Sequence, residues 1–309
     1  MGKKLKVIVY DNTSISGKAV ARFNKGKNRI KPDTKFTTSK PTVIVNWGSG
    51  IALPSNLVRD NIEILNHPDA INKASNKISC LRILEAADVP SLEFATTRTG
   101  AEAFFTESSE TKVYCRKQIR SHSGRGIVIA GSSSELVEAQ LYTNRFLNDI
   151  EYRVHVFAGE VIDIQQKKKM SSERLAEKGI TSTNTDVRNL MHGWSFTRTD
   201  IRLKHEDGSF LTDLIAIPLQ ATEALGLTFA AIDLAYNSAT QELVVIEVNT
   251  AAGQKVKTTT NFNYVNAIQK YIGEPITLAD YNRRWSCELA PHTSLYPQLL
   301  TAFNAQNNE

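Results

Sequence analysis

Two acidic residues and an asparagine interrupt otherwise apolar segments between residues 229 and 253, and these three side chains could bind a metal ion. Segments 229–236 and 242–249 flank polar residues 237–241, a pattern that predicts a β-hairpin. A hairpin centred on Thr240 sets Asp233 opposite Glu247, and alternation places Asn249 on the face of Glu247. A bound cation would offset the repulsion between two buried carboxylates, and these oxygen ligands suit Mg²⁺. The alternative, a solvated edge with chance acids, would show more regular alternation of polar residues.

A glycine-rich loop at residues 121–126 is the second candidate. Its residues, Ser-His-Ser-Gly-Arg-Gly, stand between two predicted strands, and small residues let backbone N–H groups approach an anion. Lys117, on the strand before the loop, can add a positive charge. The pattern is not a P-loop, because Gly-x-x-x-x-Gly-Lys-Ser/Thr is absent. A simple hairpin turn is the alternative, and His122 is interpreted as a hydrogen-bonding loop residue.

Two further stretches carry charged side chains at spacings that suit anion binding. Residues 150–169 predict two strands joined by a turn at residues 158–160. The first strand carries Glu151, Arg153 and His155 on one face, and the second ends in Lys167, Lys168 and Lys169. Solvent is the default partner of the three lysines. In residues 186–194, Arg188 and Asn189 are suited to grip a carboxylate, a phosphate or a metal-bound oxygen.

The remaining chain predicts the elements that must hold these side chains in place. Strands at residues 6–11, 41–48 and 61–66, separated by turn or helical segments, indicate a small α/β lobe. Residues 66–90 predict an amphipathic helix that ends before Pro90, and residues 134–139 carry a helical signal. A helix over 211–227 is expected to kink or break at Pro218, and another helix covers 258–272. Residues 171–185 predict a polar loop, and the C-terminal segment is expected to pack back on the body.

Length, cysteine usage and charge limit the class of protein. The 309 residues can bury a full core in two or more lobes, and no apolar run approaches the roughly 20 residues that span a bilayer. The three cysteines are odd in number and far apart, which indicates a reducing compartment and a cytoplasmic location. The net charge of +5 is compatible with an anionic ligand but does not by itself predict nucleic-acid binding. The basic stretch 18–40 is interpreted as solvated surface, with a phosphate or partner patch as the alternative.

The order of these motifs resembles the ATP-grasp superfamily, in particular its amino-acid and peptide ligase branch, which includes ligases that add glutamate to a ribosomal protein. Residues 187–194 look like that branch's Arg-Ser-Asn-Leu-His-x-Gly-Gly run, and residues 244–253 look like its Glu-Val-Asn-x-(Ser/Ala)-Pro-Gly ending. The resemblance spans about residues 66–269. It implies an α/β protein with α+β lobes, in which a small Rossmann-like domain (1–70) precedes an ATP-grasp domain (71–272). A small flexible lobe would cover about 96–138, and residues 273–309 would form a C-terminal extension.

The resemblance also implies a role for each matching residue. Lys77 and Lys117 would contact the α- and β-phosphates of ATP, Glu151 the ribose hydroxyls, and residues 140–143 the adenine. The full set of implied nucleotide-binding residues is Lys77, Lys117, Ser121, Ser123, Gly124, Gly126, Gln140, Leu141, Tyr142, Thr143, Glu151, Lys167, Lys168 and Asn189. The implied catalytic residues are Arg188, Arg153 and Asn249, of which Arg153 and Arg188 would face the γ-phosphate and the acyl phosphate. The implied metal ligands are Asp233, Glu247 and Asn249. Lys167 and Lys168 are alternatives for one contact.

The reaction implied by the resemblance joins a carboxylic acid to an amine. The acid would attack the γ-phosphate of ATP to form an acyl phosphate, with two Mg²⁺ ions (or Mn²⁺) screening the anions. The expected substrates are a small acid and amine, an amino acid or a peptide. A catalytically quiet nucleotide-binding scaffold is one alternative. Another is a ligase acting on a protein or nucleic acid that docks on the basic N-terminal region. No membrane partner is expected, and an oligomer is compatible with the sequence.

Overall fold

Three β-sheets organise the chain in a computed structural model. The described residues are 6–10, 14–23, 29–31, 37–106, 111–120, 126–181, 183–198 and 209–289. No helix within these ranges is long and apolar enough to cross a membrane.

The N-terminal sheet is parallel and has the strand order β2-β1-β3-β4. Its strands are β1 (Lys6–Tyr10), β2 (Arg29–Ile30), β3 (Thr42–Asn46) and β4 (Ile62–Leu65), and helix α1 (Ile15–Phe23) connects β1 to β2. Every residue of β3 is buried, as expected for a central parallel strand covered on both faces. This arrangement agrees with the α/β lobe predicted from the first strands.

Two helices, not one, follow the N-terminal sheet: α2 (Pro68–Ser75) and α3 (Lys77–Ala86). The predicted single helix is interrupted at Asn76, whose extended backbone ends α2. The side chain of Asn76 then accepts hydrogen bonds from the backbone N–H groups of Ile78 and Ser79, both at 3.1 Å. This N-cap starts α3 at Lys77, so the lysine projects from the first turn of a helix.

The intermediate sheet is antiparallel and has the order β5-β8-β6-β7. It is formed by β5 (Phe94–Ala95), β6 (Val113–Arg116), β7 (Ile127–Ala130) and β8 (Leu141–Asn144), with α4 (Arg98–Ala103) beside it. The helical signal near residue 134 was wrong: the structure has a single 3-10 turn there, Ser133–Glu135, that leads into β8.

The main sheet is antiparallel and has the order β11-β10-β9-β12-β13. Its strands are β9 (Ile150–Phe157), β10 (Glu160–Lys169), β11 (Trp194–Thr197), β12 (Phe229–Asn237) and β13 (Glu242–Asn249). Part of the predicted loop 171–185 is helical, as α5 (Ser172–Glu177). Helix α6 (Ser209–Ala224) packs on the sheet and continues through Pro218 without the predicted break.

The C-terminal helices cover the region between the N-terminal and main sheets. They are α7 (Thr259–Tyr271) and α8 (Leu278–Trp285). Tyr264 of α7 packs with Trp47 and Phe229 in a core shared by both sheets. Buried Tyr281 of α8 donates a hydrogen bond to Asn261 at 2.5 Å. The described part of the C-terminal segment therefore contacts α7 through Tyr281.

Candidate nucleotide and metal site

The strand register of the main sheet sets Arg153, Asp233 and Glu247 in one row across β9, β12 and β13. Asp233 pairs with Glu247 on one side and with Arg153 on the other. The predicted hairpin and its facing carboxylates are thus confirmed, with a bulge between Asp233 and Leu234. Asn249 lies two residues beyond Glu247, at the end of the strand.

Arg153 neutralises the more deeply buried carboxylate. Its Nε and Nη2 donate to the two oxygens of Asp233 at 2.6 and 2.8 Å, and Asp233 is only 4% exposed. Burial opposes the charge on Arg153, but the charge and hydrogen bonds of Asp233, together with the charge of Glu247, outweigh burial, so the pKa of Arg153 is raised. The guanidinium also lies over the ring of Phe196, 4.1 Å from its centroid. The protein therefore supplies a partner for Asp233, and burial of this carboxylate does not by itself require a metal.

Two cations from different elements approach Glu247. The Nζ of Lys77 donates to Glu247 Oε1 at 2.8 Å, across a separation of 170 residues. Arg116, at the end of β6, is the second cation. Burial lowers its pKa, and the charge of Glu247 raises it in part. The described carboxylates at this end of the row thus face three cations: Lys77, Arg116 and Arg153.

A second group of charges lies on the same face of the sheet, around Glu151. Lys167, opposite Glu151 in the register, donates to Glu151 Oε2. Nη1 of Arg188 lies 3.6 Å from Glu151 Oε1, and its Nη2 donates to the carbonyl of Asn148 at 2.9 Å. The Arg188 guanidinium also lies 4.9 Å from the centroid of the Trp194 ring. The resemblance placed Glu151 at the ribose and Arg188 at the γ-phosphate or acyl phosphate. In the structure these two residues are neighbours.

The segment that carries Arg188 has a defined local fold. The Oδ1 of Asn189 accepts a hydrogen bond from the N–H of His192 at 3.0 Å and caps a 3-10 turn, Leu190–His192. Gly193 follows with φ +79°, and a Cβ there would lie 2.7 Å from side-chain atoms of Leu175 and Thr183. Glycine is therefore required at this position, and the turn holds Asn189 against the cavity wall.

Two adjoining compartments open above the row of charges. The first, of about 620 Å³, contains the Glu151 cluster and Asp233, with walls that include Tyr114, Ile127, Phe146 and Ile246. The second, of about 640 Å³, extends toward α2 and α3. Both are lined at their junction by Lys77, Arg116, Glu247 and Asn249. Groups bound in the two compartments would therefore meet at the charged row.

The nucleotide-binding residues implied by the resemblance are divided among several places. Leu141 and Thr143 line the second compartment, whereas the hydroxyl of Tyr142 is hydrogen-bonded to Val137 and Ala139 in the core of the intermediate sheet. Gln140 donates to the carbonyl of Lys117, and the residues lining the first compartment near this segment are Phe146 and Asn148.

The residues that line the compartments distinguish Lys117 from its neighbour Arg116, and Lys167 from Lys168. Lys117 is exposed and is absent from the described linings of both compartments, whereas Arg116 belongs to both. Lys167 lines the first compartment, and Lys168 is not among its lining residues.

Part of the glycine loop is not described. Ser121, Ser123 and Gly124 lie outside the described residues, together with His122 and parts of the basic stretch 18–40. Gly126 ends the loop with φ +73° and accepts a hydrogen bond from Lys117 N–H at 3.0 Å.

Arg116 is the functional candidate that the sequence interpretation missed. Val113 and Cys115 are buried in the core of the intermediate sheet, so Tyr114 and Arg116 share the opposite face, toward the cavity. Strict application of the two-residue period to residues 113–117 would have selected Arg116 over Lys117. The apolar wall residues carried no comparable sequence signal.

A separate buried polar cluster lies between the main sheet and α7. Arg198 donates to Asp163 and Thr260, and Gln165 donates to Thr260 at 3.0 Å. On the neighbouring strand, His155 Nδ1 lies 3.0 Å from the hydroxyl of Tyr264. Burial lowers the pKa of His155 to about 4.

The donor set at the row of charges fits a hard divalent cation. Among the described residues, no group of three or more His, Cys, Asp and Glu could hold a metal. Asp233 and Glu247 are two carboxylates, however, and the third ligand would be the amide oxygen of Asn249; its buried Nδ2 has no hydrogen-bond partner among the residues that the structure describes. A carboxylate oxygen has two lone pairs, so Asp233 can accept from Arg153 and still coordinate an ion. Oxygen-only donors are those that Mg²⁺ prefers.

Solved structures resemble this fold, although the sequence matches no protein-family model and no curated protein. D-alanine–D-alanine ligase from Bacillus anthracis has a TM-score of 0.57 and 11% identity, over 91% of this chain and 99% of that chain. N5-carboxyaminoimidazole synthetase from Staphylococcus aureus, in complex with ADP, has a TM-score of 0.59 and 10% identity, over 89% and 80%. The ATP-grasp ligase PsnB, in complex with a minimal precursor, has a TM-score of 0.52 and 11% identity, over 99% and 100%.

The chain therefore has the ATP-grasp fold, as its sequence motifs predicted. At identities of 10% and 11% the likeness establishes the fold alone. What this chain does must be argued from its own side chains.

Proposed function

We propose that this protein is an ATP-dependent carboxylate–amine ligase that forms an amide or peptide bond through an acyl phosphate. The observation that carries the proposal is the charged row at and beside the junction of the two compartments, where Asp233, Glu247 and Asn249 lie among three cations. Facing carboxylates with oxygen-only donors suit Mg²⁺–phosphate, and the ATP-grasp fold of this chain is shared with solved ligases.

The nucleotide would occupy the first compartment. Tyr114, Ile127, Phe146 and Ile246 would enclose the base, and Glu151 would accept hydrogen bonds from the ribose hydroxyls. Arg188, held against Glu151 and the Asn148 carbonyl, would fix this end of the site. It would take a positioning role and not the γ-phosphate contact that the resemblance implied.

The phosphates would lie at the junction, because the cations converge there. Lys77 and Arg116 would bind the phosphate oxygens, and Arg153 would remain paired with Asp233 beneath them. Asp233, Glu247 and Asn249 would hold Mg²⁺, with two ions expected. Mg²⁺ would neutralise phosphate charge and reduce repulsion of an approaching carboxylate.

Two group transfers would follow at this junction. An oxygen of the substrate carboxylate attacks the γ-phosphorus, the bond to the β-phosphate oxygen breaks, and ADP leaves. The amine nitrogen then attacks the acyl carbon, the carbon–oxygen bond to phosphate breaks, and the amine gives up a proton to solvent. Lys77 and Arg116 contribute by neutralising the anions in the transition state, and the compartment walls limit access of water to the acyl phosphate.

Phosphate release from Mg–ATP tests the proposal. Release should require both an acid and an amine from a pool of amino acids and peptides. Glu247→Gln should lower kcat roughly 100-fold or more, because it removes a charge from the metal site. Glu242→Gln, at the exposed start of the same strand, is the matched control and should stay within about twofold of wild type. Release that needs no amine, or equal activity of the two variants, would contradict a ligase.

One observation favours a catalytically quiet nucleotide-binding protein as the second candidate. Both oxygens of Asp233 accept from Arg153, and Lys77 bonds Glu247, so the carboxylates are neutralised without metal. In that case ADP would bind equally well with Mg²⁺ and with EDTA. For the ligase, calorimetry should instead show Mg²⁺ strengthening ADP binding at least roughly tenfold.

A further inference from the structure

The second compartment has walls that differ from those of the first. On α3, Lys77, Cys80, Leu81 and Leu84 form one helical stripe that faces it. Leu92, Leu141, Val245 and Val248 complete an apolar surface. The residues of this lining that the structure describes are aliphatic or polar, without an aromatic ring. Such walls bury methylene groups and offer no stacking surface for a base.

Two cations of this compartment, Lys77 and Arg116, lie at its junction with the first, and Arg120 lies beside α2, where it donates to Asn72 at 3.4 Å. Lys77, Arg116 and Arg120 line it together with a single acid, Glu247. Glu247 is bonded to Lys77, so the balance of charge at the junction is positive. An anionic head group is therefore favoured at the junction, with an apolar body directed toward α3.

The compartment adjoins the space assigned to the nucleotide, and the two share a wall formed by Leu92, Ile246 and Gly253. Glu151, Lys167 and Arg188 line the first compartment and are absent from the described lining of the second. A nucleotide held by those groups would leave the second compartment open, with its phosphates at the common boundary. A molecule in the second compartment would then present its charged end to the γ-phosphate.

We propose that the second compartment binds the acid that is activated, and that this acid has an aliphatic body. This proposal rests on the proposed function. Its carboxylate lies at the junction by Lys77 and Arg116, and its methylene groups contact Leu81, Leu84 and Leu92. The carboxylate oxygen forms the bond to the γ-phosphorus as the bond to ADP breaks, so the apolar walls select the acid.

A chain-length series measures this selection directly. Straight-chain carboxylates from butanoate to octanoate are titrated by calorimetry into the full chain saturated with Mg–ADP. Each added methylene should lower Kd about fourfold until the compartment is full, because burial of one CH₂ contributes about 0.8 kcal/mol. Alkylamines of equal length reverse the head-group charge and should bind at least tenfold more weakly. Affinity independent of length, or octanoate displaced by ADP, would overturn the proposal.

Substitutions of Leu81, a wall residue of the second compartment, test whether the carboxylate binds there. Leu81→Phe fills the compartment and should weaken octanoate binding tenfold or more while leaving Mg–ADP affinity within twofold. Leu81→Ala enlarges it and should extend the affinity gain to longer chains, which tests the site even if the larger residue disturbs folding. Ile83→Phe, on the same helix but outside the described lining, is the control. Unchanged octanoate binding in both Leu81 variants would exclude this site.

The two proposals fail in different ways. Length-dependent carboxylate binding without phosphate release for any acid and amine would contradict the ligase and leave the aliphatic site standing. Phosphate release that favours short polar acids over aliphatic ones would support the ligase and reject the aliphatic site.

Discussion

At the scale of single residues, the candidate site depends on ion pairs formed away from bulk water. Asp233 is nearly buried, and Arg153 satisfies both of its oxygens. Removing one partner of such a pair leaves an uncompensated buried charge and costs roughly 3–5 kcal/mol. Breaking this pair by replacing either residue is therefore expected to destabilise the main sheet.

Arg116 and its neighbour Lys117 allow a matched test of phosphate binding. Arg116→Ala should weaken Mg–ADP binding about 10- to 100-fold, since a charge-assisted hydrogen bond contributes roughly 1.5–3 kcal/mol. Lys117→Ala, at the exposed next position, should change the affinity less than about twofold. Titration calorimetry gives both constants, and a larger loss for Lys117→Ala would assign the phosphate contact to Lys117 instead.

His155 predicts a stability change with pH. Burial is the main cause that lowers its pKa from 6.5 to about 4; the charges of Arg153 and Arg198 act in the same direction, and the carboxylates of Asp163 and Asp233 oppose it. The unfolded state therefore binds more protons between these pH values, so stability is full above pH 6.5 and is lost as pH falls toward 4. Between pH 7 and pH 5 the loss from this group should be roughly 2 kcal/mol.

Denaturant unfolding at pH 7 and pH 5 measures that loss. His155→Gln keeps a hydrogen-bonding group beside Tyr264 and should remove most of the difference between the two pH values. His67→Gln changes an exposed histidine and should leave the difference unchanged. An equal pH dependence in wild type and His155→Gln would show that other groups cause it.

At the scale of elements, the break between α2 and α3 places Lys77 in the site. Asn76 ends one helix and caps the next, and the N–H of Lys77 donates to the carbonyl of Ile119 at 3.2 Å. The first turn of α3 is thereby attached to the lobe that carries Arg116. The position of the Lys77 side chain follows from a capping residue and not from helix propensity.

Removing this cap should affect both stability and binding. Asn76→Ala should lower the free energy of unfolding by about 1 kcal/mol, because two backbone N–H groups lose their acceptor. It should also weaken Mg–ADP binding a few-fold through displacement of Lys77. Asn76→Asp retains the acceptor oxygen and should behave like wild type in urea unfolding and in calorimetry. Equal destabilisation by the two variants would mean that the cap is unimportant.

At the scale of the whole molecule, the N-terminal sheet lies directly against the end of β13. Gly48 follows β3 with φ +81°, and a Cβ there would lie 2.4 Å from the Cβ of Ala251. Ala251 belongs to the segment after Asn249 and lines the second compartment. This close approach therefore links the N-terminal sheet to the wall of the candidate substrate site.

A comparison of Gly48 and Gly159, which have similar φ angles, distinguishes the cost of backbone strain from the cost of a steric clash. Gly48→Ala should destabilise the protein by roughly 1–3 kcal/mol more than Gly159→Ala. Gly159 has φ +76°, and a Cβ there would meet no atom within 4 Å, so only backbone strain is expected. Chemical denaturation of both variants gives the difference. Equal losses would indicate that Ala251 moves aside without cost.

Local patterns in the sequence were sufficient for several elements. The hairpin of β12 and β13 was predicted with Asp233 opposite Glu247, because a short turn sets the register of adjacent strands. The turn between β9 and β10 and the helix at 259–271 were also predicted. In each case the evidence lies within about 25 residues, where periodicity and turn chemistry determine the structure.

Predictions that depend on which face of a strand a residue occupies, or on where a helix ends, were less secure than predictions from local patterns. Lys117 was selected from the sequence, whereas its neighbour Arg116 lines both compartments, because successive side chains of a strand point to opposite faces. The prediction of a single helix over 66–90 was wrong at Asn76. By propensity this residue is compatible with a helix, but here it caps the start of α3. At Pro218 the break, one of the two predicted outcomes, does not occur, since tertiary packing of α6 maintains a helix across it.

By itself, the sequence determined the ATP-grasp arrangement of motifs and the two facing carboxylates, since both follow from local pattern and chain order. Only the tertiary structure decided which cations neutralise them, because Arg153 and Lys77 are 80 and 170 residues away from their partners. It likewise placed Arg188 beside Glu151 and opened an aliphatic compartment next to the charged row. These features arise where three sheets and two helices meet, and no short-range pattern encodes contacts between segments so distant in the chain.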